Sequence, residues 1–152
     1  MALTFQQEDV SVFIEDCMDL IIEHWKDVAL NQDSTPLDPD WDRYTKLAAA
    51  GILHITSART EDGELVGYAV CLITPHLRYK SVKWAEGDVF YLQPAHRKGS
   101  AGTRLMQAAE DAMRAHGVTK IIQKVKIHND VGAVFERMGY KAIERVFVKD
   151  LS

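Results

Sequence analysis

Apolar and polar residues alternate along the chain in two rhythms, one of period two and one of three to four. Leu3–Gln6 follows the first and reads as a short strand, after which Glu8 and Asp9 mark a helix start. Val10, Phe13, Ile14, Cys17, Met18, Ile21, Ile22 and Trp25 follow the second. That spacing predicts one amphipathic helix whose stripe, with Phe13, Met18 and Trp25, is core. Asn31–Asp40 contains Ser34, Pro36 and Pro39 and reads as a loop. Asp40 is a good N-cap for a second helix through about Ala50, and Gly51 stops it. Two helices are therefore expected before the main sheet.

Ile52–Arg59 and Leu65–Ile73 flank Glu61-Asp62-Gly63, a turn between β-rich runs, and predict an antiparallel hairpin. Trp84–Leu92 is a third β-rich run and stops before Pro94. Ala101–His116 places Leu105, Ala108, Ala109, Ala112 and Met113 on one face, with Gly117 at its end, and is the clearest helix signal. Thr119–Ile127 predicts a strand, Val131–Met138 a short helix closed by Gly139, and Tyr140–Val148 a final strand. The expected order is β-α-α-β-β-β-α-β-α-β in one domain over residues 1–152, with no repeat and no linker.

Composition narrows the functional classes. The 152 residues are 47% hydrophobic and 26% charged, enough for one sizeable core and unlike a disordered chain. Apolar runs such as Leu65–Thr74 are far shorter than the roughly 20 residues that span a bilayer, so a cytoplasmic protein without a membrane partner is expected. Cys17 and Cys71 lack the close pairing of a metal or redox motif and read as small buried hydrophobes. His24, His54 and His116 show no spacing with carboxylates that calls for a metal. Charge is lopsided: residues 1–66 carry 4 Lys/Arg against 14 Asp/Glu, although the whole chain is only −4. An acidic half and a basic half suit an enzyme that joins a polyanionic cofactor to a cationic amine, and equally suit a solvated surface.

The informative segment is Phe90–Leu105, a strand, a Gly-containing turn and a helix N-terminus in succession. Such a junction leaves several N–H groups unsatisfied at the positive end of a helix dipole, which makes an anion site. Gly99 and Gly102 keep Cβ atoms out of the way of a phosphate, and Arg97, Lys98 and Arg104 add positive charge. No Gly-Lys-Ser/Thr ending is present, and Gly99-x-x-Gly102 is not a dinucleotide fingerprint, so nucleoside triphosphate and dinucleotide readings are weak.

Leu92-Gln-Pro94-Ala-His-Arg97-Lys-Gly-Ser100-Ala-Gly102 resembles the motif of the GNAT acetyltransferase superfamily, Pro-x-x-Arg/Gln-x-x-Gly-x-Gly/Ala before a helix. Ser100 stands at the first glycine position, with Gly99 just before it. The block His128–Tyr140 is similar to the family's Asn-x-x-Ala-x-x-x-Tyr-x-x-x-Gly-Phe, and Tyr79–Tyr91 with Arg97 looks most like acetyltransferases carried by bacteriophages.

The resemblance implies an α/β fold, the GNAT acyl-CoA N-acyltransferase architecture with a central splayed mixed sheet. It implies an enzyme that moves an acetyl group from acetyl-CoA directly to a primary amine, without a metal. The coenzyme would rest on Arg97, Lys98, Gly99, Ser100, Ala101, Gly102 and Thr103. A backbone N–H at Tyr91 or Leu92 would polarise the thioester carbonyl, and either His128, at the family's asparagine position, or Asn129 after it would touch the pantetheine arm or else cap its own loop.

Glu86 and Asp88 are the candidate catalytic carboxylates, because alternation about Gly87 points both to one face, and Glu86 resembles the family's frequent glutamate base. Salt bridges to Lys80, Lys83 or Lys126 are the alternative role for either carboxylate. Phe135 stands where many members carry the tyrosine that protonates the thiolate, leaving water or Tyr140 for that task. His76 and His96 flank the presumed cleft, where either could serve as a base, although a lone histidine is more often a surface or packing residue.

A second reading follows from Phe135 and Ser100: a catalytically weak or inactive GNAT-fold interaction protein that still binds CoA. Nucleic acid is not an expected partner, since no aromatic-basic stacking pattern is present. The acceptor and the oligomeric state, a homodimer included, stay open at this level.

Overall fold

The computed structural model describes residues 2–152. Strand β1 (Thr4–Glu8) runs into Asp9, whose carboxylate accepts the N–H of Ser11 at 2.8 Å and caps helix α1 (Val10–Asp16). The stripe expected as one helix breaks at Cys17, and α2 (Met18–Val28) starts there. Cys17 keeps a helical φ and ψ of −91° and −16°, so the chain redirects without a loop. Phe13, Cys17 and Leu20, spread over the two short helices and their junction, all reach one buried cluster. Helix α3 (Trp41–Ala49) has the predicted cap, with Asp40 accepting the N–H of Arg43 at 2.9 Å. Three helices, not two, precede the hairpin.

Strands β2 (Leu53–Arg59) and β3 (Leu65–Ile73) form the expected hairpin, and Gly63, at φ +84°, makes its turn. β1 pairs with β2, and Arg59 on β2 reaches Glu8 on β1 at 2.6 Å and Asp16 on α1 at 2.9 Å. Strand β4 (Trp84–Leu92) pairs antiparallel with β3. A 3-10 turn at Pro94–His96 leads to α4 (Ala101–Ala115), then β5 (Lys120–Ile122) runs parallel to β4, and α5 (Gly132–Arg137) follows. The sheet order is β1-β2-β3-β4-β5.

Two expectations fail at the C-terminal end. The predicted strand Thr119–Ile127 shrinks to three residues, and Tyr140–Val148 forms no strand at all. Propensity makes a strand only where a partner edge exists, and β5 offers three residues of edge. Charged Lys141, Glu144, Arg145 and Lys149 also interrupt the apolar alternation. Residues 141–152 stay exposed.

The sheet separates two cores. On one face Leu105, Met106, Ala109 and Met113 of α4 and Phe135 of α5 pack on Val66, Ala69, Cys71 and Leu92. On the other, Phe13, Cys17 and Leu20 pack on Ile55, Tyr68, Val70 and Tyr91. Burying one such large side chain stabilises by about 1.5–3 kcal/mol, so each layer of helices is held mainly by this contact. β4 contributes side chains to both cores.

Candidate active site

β5 leaves β4 early. The parallel ladder joins Trp84, Ala85 and Glu86 to Lys120, Ile121 and Ile122 and stops there. Beyond Glu86 the edge of β4 has no strand beside it. Gln93 donates its N–H to Val66 on β3 at 2.8 Å, and Tyr91 pairs with Tyr68 in the same register. Backbone N–H groups alternate sides along a strand, so Tyr91 faces β3 while Phe90 and Leu92 aim their N–H groups into the gap. The Leu92 carbonyl points the same way and accepts Nε–H of Arg97.

The gap ends at the turn before α4. His96 and Arg97 close their N–H groups on Gln93 and Pro94, and Ala101 closes on Lys98. Among the described residues, the N–H groups of Lys98, Gly99, Ser100, Gly102 and Thr103 have no protein acceptor, and Ser100 caps α4 without a side-chain bond. Gly99 adopts φ +59°, which turns the chain into the helix. At Gly102 a Cβ would find only Phe90 Cζ, 4.0 Å away, so this glycine leaves open space above the helix end rather than relieving an internal clash. Five unpaired donors at a helix N-terminus form an anion cradle. The predicted residues Arg97 to Thr103 lie together here.

The opposite face of β4 carries the carboxylates. Val70 pairs with Val89 and Cys71 with Gly87, which leaves Asp88 as an extra, unpaired residue, a β-bulge. Gly87 faces the α4 side, where a Cβ would run into Gln123, and Asp88 turns to the α1–α3 side with Val89. Glu86 pairs with Leu72, whose side chain packs in that same α1–α3 core, so both carboxylates share a face as the alternation predicts. Glu86 is held at 3.1 Å by Lys124, a partner the sequence reading did not name.

Among the described residues, Asp88 makes no ion pair. It keeps an exposed edge, yet apolar walls crowd its carboxyl, and this desolvation raises its pKa above the ordinary 3.8; Lys124 pulls it down and Glu86 pushes it up. Tyr44 on α3 senses Asp88, and its phenol is pushed up to about 12, mainly by burial.

Asp88 opens into a cavity of about 570 Å³ between α2, the 29–39 loop, α3 and β4. His24 lies in its wall, stacked on Tyr91 with ring centroids 4.5 Å apart and Nδ1 2.5 Å from the Tyr68 hydroxyl. Burial lowers the His24 pKa to about 4, so the ring is neutral at pH 7. The Tyr91 hydroxyl donates to Asp27 at 2.9 Å, and Gln93 donates to Glu23 at 3.0 Å, fastening the end of β4 to α2.

The remaining expected residues fall outside this arrangement. Asn129 sits in a tight turn, its N–H bonded to Lys126, with the side chain exposed. Neighbouring His128 bonds the carbonyl of Val28 at 2.9 Å and docks that turn on α2. Phe135 is buried between Phe90 and Tyr140. The Tyr140 hydroxyl lies beside Glu110 and Gln123 in the α4 core. His76 accepts the N–H of Arg78 in the β3–β4 connection, at the far end of β4 from the cradle.

His24, Tyr44, Tyr68 and the cavity role of Trp25 escaped the sequence reading, which treated the α2 stripe, Trp25 included, as core. Met18, in the same stripe, is exposed. No local signal marks these cavity residues, because the wall is assembled from segments far apart in the chain. Among the described residues, no cluster of three or more His, Cys, Asp or Glu could hold a metal.

A family model described as the acetyltransferase (GNAT) family matches residues 15–140. No curated protein matches the chain in sequence. Among solved structures, an aminoglycoside acetyltransferase from an uncultured soil metagenomic sample is similar with a TM-score of 0.77 at 18% identity, covering 100% of both chains. Glucosamine-6-phosphate N-acetyltransferase from Arabidopsis thaliana gives 0.75 at 13% identity, again with 100% of both chains covered. Ribosomal-protein-alanine N-acetyltransferase from Brucella melitensis biovar Abortus 2308 gives 0.72 at 14% identity, covering 99% of this chain and 100% of that one. At such identities the likeness establishes the fold, and the acceptors in those three names differ.

Proposed function

The chain belongs to the acetyltransferase (GNAT) family, and on that premise we propose that it is a single-domain N-acetyltransferase, residues 1–152, which moves the acetyl group of acetyl-CoA directly to a primary amine. Acetyl-CoA supplies an activated thioester and a pyrophosphate handle. The handle fits the free N–H groups of Lys98, Gly99, Ser100, Gly102 and Thr103, with Arg97, Lys98 and the start of α4, at Ala101, around them. The observation that carries the reading is that unpaired backbone donors from this cradle and from β4 converge on one gap that β5 has vacated.

Each chemical requirement then finds a group. The N–H of Leu92, already aimed into the gap, polarises the thioester carbonyl and stabilises the oxyanion. Asp88, on the other face and, among the described residues, free of any ion pair, takes the amine's proton through water, since Leu92 lies about 13 Å further along the strand. Glu86 is engaged with Lys124 and keeps that cation beside Asp88. Asn129 would approach the pantetheine arm from the turn after β5.

Phe135 has no proton to give, and Tyr140 is turned into the α4 core, so the departing thiolate is protonated by water. A thiol's ordinary pKa of about 8.5 makes that tolerable. A cytoplasmic setting and a bacteriophage origin belong to the same reading; the first is supported by two free cysteines and by the want of any helix, among the described residues, long and apolar enough to cross a membrane. The second rests on the likeness of Tyr79–Tyr91.

Calorimetry with acetyl-CoA and release of free thiol on an amine panel test the proposal. Failure to bind acetyl-CoA removes it. Phe135 and Ser100 favour one other reading, a CoA-binding interaction protein, for which saturable binding without thiol release is the signature.

A further inference from the structure

The cavity beside Asp88 has a composition that discriminates among amines. Of its twenty lining residues only Asp38 and Asp88 are acidic, and Lys126 is cationic. The walls are largely aromatic and aliphatic, with Phe13, Trp25, Tyr44 and Val89 prominent. His24 adds no charge at neutral pH, since burial keeps it unprotonated. Four acidic residues of the N-terminal half, Asp16, Asp19, Glu23 and Glu64, line a separate groove by the β2–β3 turn.

The cavity's border at the end of α2 is held by hydrogen bonds. Gln32 donates to the carbonyls of Trp25, Lys26 and Ala29, each at 3.2 Å, and stops α2. Asn31, at φ +55°, turns the following loop over the cavity. Binding a rigid apolar group there costs little ordering of the protein.

We propose that the acceptor is a monoamine on an apolar body of about the size of an aromatic ring and a short alkyl arm, its body among Trp25, Tyr44 and Val89 and its amine at Asp88. Polyamines and lysine-rich peptides are disfavoured, because most of the wall is apolar and Lys126 opposes a second ammonium, which leaves the exposed Asp38 as its one carboxylate partner in the cavity. The proposal rests on the acetyl-transfer reading and names the substrate class of that site. Bond changes are those of aminolysis: the amine nitrogen forms a bond to the acetyl carbon, the carbon–sulfur bond breaks, the sulfur leaves with its electron pair, and the nitrogen's proton passes through water to Asp88.

The test compares 2-phenylethylamine, spermidine and a lysine-containing peptide as acceptors for the full chain with acetyl-CoA, followed by thiol release. Calorimetry of 2-phenylethylamine is run separately on the CoA-saturated protein. The expected result is kcat/KM at least about tenfold higher for 2-phenylethylamine than for spermidine, falling about tenfold in Trp25→Ala. Lys126→Glu is expected to narrow the preference by improving spermidine.

Equal or better use of spermidine or of the peptide overturns the proposal, and so does absence of 2-phenylethylamine binding. Binding of 2-phenylethylamine without thiol release upholds the pocket and defeats acetyl transfer instead, so the two failures are distinct.

Discussion

Arg97 donates its Nε–H to the carbonyl oxygen of Leu92, five residues earlier, and its guanidinium lies 5.1 Å from the centre of the Tyr91 ring. One side chain therefore ties the cradle turn to the strand whose N–H faces the gap, while the rest of its guanidinium lies over Tyr91, near enough to His24 for its charge to be felt there. Arg97→Ala is expected to weaken acetyl-CoA binding about tenfold, the scale of one charge-assisted hydrogen bond. Arg97→Lys should recover only part, because an ammonium lacks the planar fork. Calorimetry reads both.

Gly102 makes a sharper test of the cradle. Its Cβ position is open, so Gly102→Val should leave the protein folded, with stability within about 1 kcal/mol of the parent. The added side chain would project into the open space above the helix end, and acetyl-CoA affinity should fall by more than about tenfold. Unchanged affinity would place the pyrophosphate elsewhere.

Asp88 should trade stability against activity. Its pKa is raised in the folded chain, so between the ordinary value of 3.8 and the raised one the folded state holds the extra proton. Stability contributed there is present at low pH and lost as pH rises through that window. Tyr44, Glu86, Lys124 and Cys71 are the titratable groups that surround it. Asp88→Asn should thus melt above the parent at pH 7 while losing kcat/KM. The acid limb of the parent's pH–rate profile, where the carboxyl takes up its proton, should vanish in the variant.

Gly67 sits across from Leu92, and a Cβ there would lie 2.7 Å from Leu92 Cδ1 and 2.9 Å from the Tyr91 carbonyl. Backbone cannot yield as a flexible side chain does. Gly67→Ala is expected to cost about 1–3 kcal/mol in chemical denaturation and to lower acetyl transfer by shifting the strand that presents the Leu92 N–H.

Local chemistry announced itself in the sequence, and long-range assembly did not. Trp84–Leu92, the Gly63 turn and the Asp40 cap are visible as patterns within a few residues, and the structure has each of them. The cradle is likewise a local strand–turn–helix junction. The break at Cys17 was hidden because both short helices continue the same three-to-four rhythm. The loss of the final strand could not be read from Tyr140–Val148, since it depends on how little edge β5 presents. Whether Tyr91 or Leu92 faces the gap required knowing that Gln93 bonds to Val66. The cavity escaped altogether, as Trp25, Tyr44 and Asp88 are brought together only by packing.

The bulge at Asp88 has a further meaning for how such a protein changes over time. A residue with no partner across the ladder escapes the pairing constraints that govern its neighbours, so its side chain can be exchanged without disturbing the register of β3 and β4. Activity can then be lost or regained at this one position while the donor-binding edge, two and four residues further on, is inherited intact.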